Sequence, residues 1–218
     1  MKNPIKTVFL FKKVDKNVKM QYNVKYHDKS GDKMKMYFYY GVMGSSKTAT
    51  ALMKKFSFEE KNRKVVLIKP SIDSRDGKTI VKSRIGLSCE AITVAPNEKI
   101  ENAVADFAPL DVIIVDEAQF LTAAQVDELR NLTDNGAMVM CYGLKTDYMG
   151  KLFEGSKRLI EVADSIREIQ SMCKCGRKAI INARYNDGKI IYDGEQIDIG
   201  GNDKYIALCH QCWKKGTL

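Results

Sequence analysis

The chain has 218 residues, 44% of them hydrophobic, which is enough for one domain of ordinary size and a small additional module. Lys and Arg number 36 against 27 Asp and Glu, and the resulting charge of +9 favours a nucleic acid or a phosphate-bearing ligand. No run approaches the roughly 18 consecutive apolar residues that a membrane span needs, and Lys12 and Lys13 end the apolar run 8–11 too early for an export signal. We therefore expect a cytoplasmic protein, without a membrane partner, whose cysteines are mostly reduced.

The first segment of the chain differs from the rest in its charge. Residues 1–33 contain nine Lys and three Asp, so they carry +6 of the total +9. Because these charges recur every two or three residues, no face remains that could be buried, and the pattern predicts a flexible basic leader over 1–35. An alternative is that translation begins at Met34 or Met36, since a strand-like sequence starts there.

Strand-like and helix-like patterns alternate from residue 37 onwards. Apolar runs predict strands at 37–41, 65–70, 92–94, 112–115 and 137–143, and helical periodicity predicts helices at 48–64, 97–107, 122–136 and 157–166. A looser segment covers 71–90. The alternation predicts an α/β fold, in which a mostly parallel sheet is flanked by helices on both faces, over a nucleotide-binding domain at 36–170.

The C-terminal part has a different pattern and predicts a small second domain at 171–218. Two β-type runs, IINARY and KIIY, flank the turn sequence Asn186-Asp187-Gly188 and predict a hairpin. A pair of cysteines stands on each side of this hairpin.

A phosphate-binding loop is predicted between the first strand and the first helix. A Walker A loop needs small residues that let backbone N–H groups approach phosphates, a Lys for the β- and γ-phosphates, and a hydroxyl for Mg²⁺. One departure is Ser46, which stands where the motif usually has Gly and would be strained if that position needs a positive φ. The predicted ATP-binding residues are Gly41, Val42, Met43, Gly44, Ser45, Ser46, Lys47 and Thr48.

An acidic pair follows the apolar strand 112–115. Asp116 is expected at the carboxyl edge of the sheet, where it can hold the Mg²⁺ shell beside the phosphate loop. Glu117 is then placed to take a proton from the group that attacks the γ-phosphate.

Four cysteines form two close pairs, Cys173 with Cys175 and Cys209 with Cys212. Two pairs delivered by two turns are typical of a closed, structural Zn²⁺ site. Because the first pair is spaced by one residue only, His210 could replace one thiolate, and two disulfides are the other alternative. Cys89 and Cys141 fit ordinary buried positions and are assigned no chemistry.

Together these motifs identify a family. The chain resembles the type II thymidine kinases, of bacterial and cytosolic animal type, over residues 36–215. The resemblance rests on five runs: YGVMGSSKT, DEAQF, GLKTDYMGKLFEGS (143–156), CKCGRKA and EQIDIGGNDKYIALCHQC.

The resemblance implies transfer of the ATP γ-phosphate to the 5′-hydroxyl of thymidine. It makes Glu117 the proton acceptor and places the DEAQ residues Asp116, Glu117, Ala118 and Gln119 at the nucleotide. Phe120 matches the aromatic that packs on thymine, Asn182 matches a position near the thymine methyl group, and the segment 198–205 matches a loop that reads the base through its main chain. The implied substrate-binding residues are Met43, Phe120, Leu144, Tyr148, Asn182, Asp198, Ile199, Gly200, Gly201 and Tyr205.

The resemblance also implies partners and regulation. It implies a homotetramer with dTTP as feedback inhibitor, and no nucleic-acid partner. Arg75 and Arg84, in the connection after Pro70, are each candidates to contact phosphate.

Two other functions are compatible with the Walker motifs. The first is a P-loop ATPase whose four-cysteine module grips nucleic acid, with Glu117 activating water; against it, the module lacks an aromatic and basic stripe. The second is a nucleotide-gated scaffold without turnover.

Overall fold

The computed structural model describes residues 35–194, 196 and 204–216, so the predicted leader lies outside the described residues except for Lys35. Within that part of the chain, no helix has the length and apolar character that a membrane crossing requires. Six parallel strands form the main sheet in the order β5-β2-β6-β7-β1-β8. Their bounds are β1 (Met36–Tyr40), β2 (Val65–Pro70), β5 (Ile92–Val94), β6 (Val112–Val115), β7 (Met138–Gly143) and β8 (Ser165–Glu168). The predicted α/β class is confirmed.

The sheet is buried on both faces because most side chains of its central strands are apolar. On β1, Met36 and Phe38 point to one face and Tyr37 and Tyr39 to the other, as the two-residue repeat of a strand requires. Helices α2 (Ile100–Val104), α3 (Ala123–Asp134) and α4 (Glu154–Val162) contribute to the first core, and α1 (Lys47–Glu59) contributes to the second. Thr122 caps α3 in a capping box with Gln125, which explains why this helix begins where the sequence predicted.

The last predicted helix was wrong in its C-terminal part. The sequence pattern extended it over 157–166, but α4 ends at Val162 and Ser165–Glu168 form β8. The reason is tertiary: β8 pairs with the open edge of β1, where Phe38 lies opposite Ile166, and the Asp164 carboxylate accepts a hydrogen bond from the Met36 N–H at 2.7 Å.

Three other segments differ from the predictions. Helix α1 ends at Glu59 and not at Lys64, because the chain turns at Asn62 with a φ of 57° before it enters β2. The segment 71–90, predicted to be loose, contains a short antiparallel hairpin of β3 (Ile80–Lys82) and β4 (Ser88–Glu90), with Val81 buried against the second core. The predicted weak helix 97–107 is α2 followed by a 3₁₀ turn at Ala105–Phe107.

The C-terminal part forms a three-stranded antiparallel sheet in the order β10-β9-β11, followed by α5 (His210–Lys215). The predicted hairpin is confirmed: β9 (Ile181–Asn186) and β10 (Lys189–Ile191) are joined by Asp187 and Gly188, whose φ values are 46° and 73°. The third strand is β11 (Tyr205–Leu208). A third core cluster lies here and includes Val42 from the predicted phosphate loop. The division into domains near residue 170 stays a prediction.

Candidate active site

One cavity of about 610 Å³ opens at the carboxyl edge of the main sheet. Strands β1, β2, β6 and β7 all end there, since parallel strands direct their carboxyl ends to the same edge. The cavity brings together most of the residues predicted from the sequence: Met43, Gly44, Ser46, Lys47, Thr48, Asp116, Glu117, Gln119, Phe120, Leu144, Tyr148, Asn182 and Tyr205.

Other predicted residues lie outside the cavity lining. Gly41, Val42, Ser45 and Ala118 are buried and support the lining from behind. A Cβ atom at Gly41 would lie 2.4 Å from the Ile169 carbonyl oxygen, so the loop can leave β1 only with glycine there. The remaining four, Asp198, Ile199, Gly200 and Gly201, lie outside the described residues.

The side chain of Lys47 is enclosed by the phosphate loop. Lys47 is buried and its Nζ donates a hydrogen bond to the Val42 carbonyl at 2.9 Å. Burial lowers the pKa of Lys47 to about 8, against the opposing charges of Glu117 and Asp116. Gly44 and Ser46 both have left-handed backbones, with φ values of 77° and 64°. Ser46 therefore occupies the strained conformation that its place in the motif suggested.

Thr48 and Asp116 form the expected metal-binding pair. The Thr48 hydroxyl donates to Asp116 Oδ2 at 2.9 Å, and Asp116 is 4% exposed. Burial and the negative charge of Glu117 raise the pKa of Asp116 to about 7. A hydroxyl and a buried carboxylate side by side at the mouth of a phosphate loop are oxygen donors of the kind that Mg²⁺ prefers, so these residues fit that ion.

Glu117 is fixed at both of its carboxylate oxygens. Gln119 Nε2 donates to Oε2 at 2.6 Å, and Arg75 pairs with Oε1. Gln119 is held in turn, because its Oε1 accepts the Leu144 N–H at 2.9 Å. Glu117 itself has a φ of 51°, a left-handed conformation that persists in a non-glycine residue only when its surroundings enforce it.

An aromatic pocket lies beside the acidic pair. The rings of Phe120 and Phe153 meet edge to face with centroids 5.7 Å apart, and Tyr148 is 1% exposed beneath the guanidinium of Arg184. Leu144 completes this wall. Phe153 was missed by the sequence reasoning, although it stands in the same run, 143–156, that supplied Leu144 and Tyr148.

Asn182 connects the C-terminal sheet to the phosphate loop. Its Oδ1 accepts the Met43 N–H at 2.6 Å, and its Nδ2 donates to the Thr146 carbonyl at 3.4 Å. The side chain is buried at the back of the cavity. Its predicted contact with a thymine methyl group stays a prediction, but its amide orientation is set by these two backbone partners.

Both candidate arginines reach the cavity. Arg75 donates from Nε to Asp73 Oδ1 at 2.7 Å and extends to Glu117. Arg84, in the turn between β3 and β4, places its Nη1 3.6 Å from the position of a Cβ at Gly44. Both positive charges lie near Lys47 and act to lower its pKa.

The four predicted cysteines converge on one point. Their sulfur atoms all lie within 4.8 Å of one another, and Cys175 and Cys209 are 3.6 Å apart. Ligands of a tetrahedral zinc with Zn–S bonds of about 2.3 Å lie about 3.8 Å apart, so the set fits zinc, and the separation is too long for a disulfide. His210 is exposed, lies against Trp213 and does not belong to this group.

Comparisons with known proteins agree with the geometry. The family model described as thymidine kinase matches residues 34–213. The chain is 39% identical to a thymidine kinase of Rhizobium etli, an alignment that covers 82% of this chain and 92% of that protein. It is 41% identical to a thymidine kinase of Pasteurella multocida, over 83% and 97% of the two chains. This chain belongs to the thymidine kinase family.

The match runs from just before β1 into α5, so it includes every strand described above and the last cysteine of the cluster. A thymidine kinase of Novosphingobium aromaticivorans is 42% identical over 81% of this chain and 95% of its own. Among solved structures, a Pif1 helicase from Candida albicans is similar over 64% of this chain and 36% of its own, with a TM-score of 0.41 and 13% identity.

The strain at Ser46 can be measured by comparing two loop variants. A left-handed backbone destabilises the folded state of an L-residue by about 1 kcal/mol. Glycine avoids this cost, but its greater freedom stabilises the unfolded chain and offsets about half of the gain. Ser46→Gly should therefore raise the free energy of unfolding by up to about 0.5 kcal/mol, whereas Gly44→Ala should lower it by about the same amount. Denaturant titration measures both. A marked loss of stability in Ser46→Gly would show that the serine side chain, and not the conformation, matters there.

The cysteine cluster predicts a linked loss of zinc and stability. Cys209→Ser should reduce bound zinc from one ion per chain to a small fraction and lower the melting temperature, because the sulfur atoms fasten β11 and α5 to the turn at 173–176. Cys89→Ser, in β4, is the matched control and should keep its zinc. Elemental analysis measures the zinc content, and thermal denaturation measures the melting temperature. If both are unchanged in Cys209→Ser, the cluster has no structural role.

Proposed function

We propose that this chain is an ATP-dependent thymidine kinase that produces dTMP and ADP for DNA-precursor salvage. The observation that carries the proposal is that one cavity holds the phosphate loop, the acidic pair and the aromatic pocket together. Membership in the family supports the same reaction. A volume of about 610 Å³ suits a nucleoside with the end of a triphosphate.

The phosphate end of the cavity binds ATP. Lys47 and the N–H groups of residues 44 and 46–48 face the β- and γ-phosphates, and the N-terminus of α1 adds its partial positive charge. The N–H groups of Met43 and Ser45 are already bound, to the Asn182 side chain and the Val42 carbonyl. Thr48 and Asp116 hold Mg²⁺, which offsets the charge of the phosphate oxygens when bound. Arg75 and Arg84 lie close enough to Lys47 to add further positive charge beside the loop.

Glu117 accepts the proton of the nucleoside. The 5′-oxygen forms a bond to the γ-phosphorus, the bond from that phosphorus to the β,γ-bridging oxygen breaks, and the hydroxyl proton passes to a Glu117 oxygen. Each carboxylate oxygen accepts one hydrogen bond in the structure, from Arg75 or Gln119, and has capacity for another.

The aromatic pocket binds the base. Phe120 and Phe153 offer ring faces and edges to thymine, and Leu144 and Tyr148 close the apolar wall. The segment 198–205 contributes main-chain hydrogen bonds, as the family resemblance implies, and Tyr205 already lines the cavity. The zinc cluster fastens the strand that begins at Tyr205.

Several finer properties belong to the same proposal. We propose that dTTP inhibits, because it combines the base and the triphosphate that the two ends of the cavity would accept. A homotetramer is the assembly that the family resemblance implies. The four clustered cysteines must stay reduced to bind a metal, which favours a reducing compartment and supports a cytoplasmic location.

A coupled assay separates this function from its alternatives. Release of ADP by the purified chain should require thymidine, since the acceptor hydroxyl is the nucleoside's own. Dependence on DNA would instead support an ATPase that grips nucleic acid, and absence of turnover with either would support a scaffold. Uridine, which lacks the methyl group and carries a 2′-hydroxyl, is a suitable control nucleoside.

Replacement of the proton acceptor should affect turnover more than binding. Glu117→Gln keeps the size of the side chain but removes its basicity, so kcat should fall by at least about 10²-fold while the KM for thymidine changes little. Glu60→Gln, an exposed residue at the end of α1, is the matched control and should behave as the wild type. Both variants are measured by steady-state kinetics with thymidine as the varied substrate. A near-normal kcat in Glu117→Gln would show that Glu117 is not the proton acceptor.

A further inference from the structure

Lys69 is a fully buried cation next to the active site, and the proposed mechanism does not use it. It is the penultimate residue of β2, with 0% exposure, and its backbone lies at the edge of the sheet where Asp116 follows β6. An ammonium without partners in such a place costs several kcal/mol. The energy is recovered only where the surroundings supply acceptors for its three N–H groups.

Three acceptors are supplied by the loop that follows β2. Lys69 Nζ donates to the carbonyls of Gly77 at 3.1 Å and Ile80 at 3.0 Å, and it pairs with Asp73 Oδ2 at 3.4 Å. These acceptors lie on both limbs of the loop 71–80. The Lys69 ammonium therefore links the start of this loop to its end and holds the two together.

The same contacts lead towards Glu117. The second oxygen of Asp73 accepts the Arg75 Nε–H at 2.7 Å, and the far end of the Arg75 guanidinium pairs with Glu117. Positive and negative groups alternate along this path. Asp73 binds Lys69 through one oxygen and Arg75 through the other, and Arg75 binds Asp73 through Nε and Glu117 through Nη2. Asp73 is buried, which opposes its ionisation, yet the hydrogen bond and charge of Arg75 and the charge of Lys69 still lower the pKa of Asp73.

We propose that Lys69 is a positioning residue for Glu117, acting through Asp73 and Arg75. It fixes Asp73, Asp73 sets the direction of the Arg75 guanidinium, and Arg75 holds one oxygen of Glu117 while Gln119 holds the other. The orientation of the proton acceptor is thus set from two sides of the cavity. This inference rests on the proposed function, since it assigns Glu117 the role of proton acceptor.

Another tether of the same loop provides the matched control. The Thr93 hydroxyl donates to the Lys78 carbonyl at 2.6 Å. Thr93 lies opposite Lys69 in the sheet, but among the described residues its side chain has no hydrogen bond to Asp73 or Arg75. Thr93→Val removes this tether with little change of volume. It distinguishes a general loosening of the loop from loss of the charged path.

The test uses the full-length chain with Lys69→Met, Arg75→Ala, their combination and Thr93→Val. Lys69→Met should lower kcat about 10- to 100-fold, because a small displacement of a reacting group has effects of that size. The KM for thymidine should change less than about threefold. In the Arg75→Ala background the Lys69 substitution should cause no further loss, since the path is already broken. Thr93→Val should keep kcat within about threefold of the wild type.

Two results would overturn the proposal. One is a multiplicative loss in the double variant, and the other is an equal loss in Thr93→Val and Lys69→Met. If Lys69→Met does not fold by circular dichroism, Asp73→Asn cuts the same path at the same volume and should show the same loss of kcat. Normal turnover in that variant would also overturn the proposal.

Failure of the proposed function is distinguished by the wild type. If the wild type releases no ADP in response to thymidine, the kinase assignment fails by itself. Amide hydrogen exchange over 73–80 then tests whether Lys69 holds the loop in place. Faster exchange in Lys69→Met than in the wild type supports this role, and equal exchange overturns it.

Discussion

The hydrogen bond between Thr48 and Asp116 joins the two halves of the active site, and the sheet order makes it possible. Strands β1 and β6 are both neighbours of β7, so the loop after β1 and the carboxylate after β6 meet across the end of one strand. Gly143 ends that strand, and a Cβ atom there would lie 2.7 Å from Gln119 Oε1. The missing side chain lets the turn after Asp116 pack down, which places Glu117 beside the phosphate loop.

Features set by local sequence were predictable, because they need few distant partners. The run VIIV has only apolar side chains and forms a fully buried strand, and Thr122 begins a helix through a capping box with a residue three positions on. The end of α4 was not predictable in this way. Residues 163–166 continue a helical pattern, but the open edge of β1 offers a row of unpaired N–H and C=O groups that only the folded sheet presents.

Functional residues followed the same rule. The phosphate loop, the acidic pair and the cysteines were found because their chemistry lies in short motifs, and the cavity and the sulfur cluster bring them together. Phe153 was missed because an aromatic in a loop has no signature until its ring meets Phe120. Lys69 was read only as part of an apolar strand, since its acceptors lie 4 to 11 positions further on, in a loop without a recognisable pattern.

The electrostatics of the site argue against reading the net charge as a nucleic-acid signal. Two thirds of the +9 belongs to residues 1–33, and what remains is spread over 185 residues. Among the described residues, the cavity lining has no excess of positive charge: it contains four cations, Lys47, Arg75, Lys82 and Arg84, and five carboxylates, Asp73, Asp76, Asp116, Glu117 and Asp147. Under the proposed function, a triphosphate would be attracted by the orientation of a few groups and not by an excess of positive charge. These groups are the backbone N–H groups of the loop, the ammonium of Lys47 and the divalent ion that Asp116 would hold. A site of this kind would favour a compact polyanion with a metal ion, whereas a long, uniformly charged polymer would gain little from it.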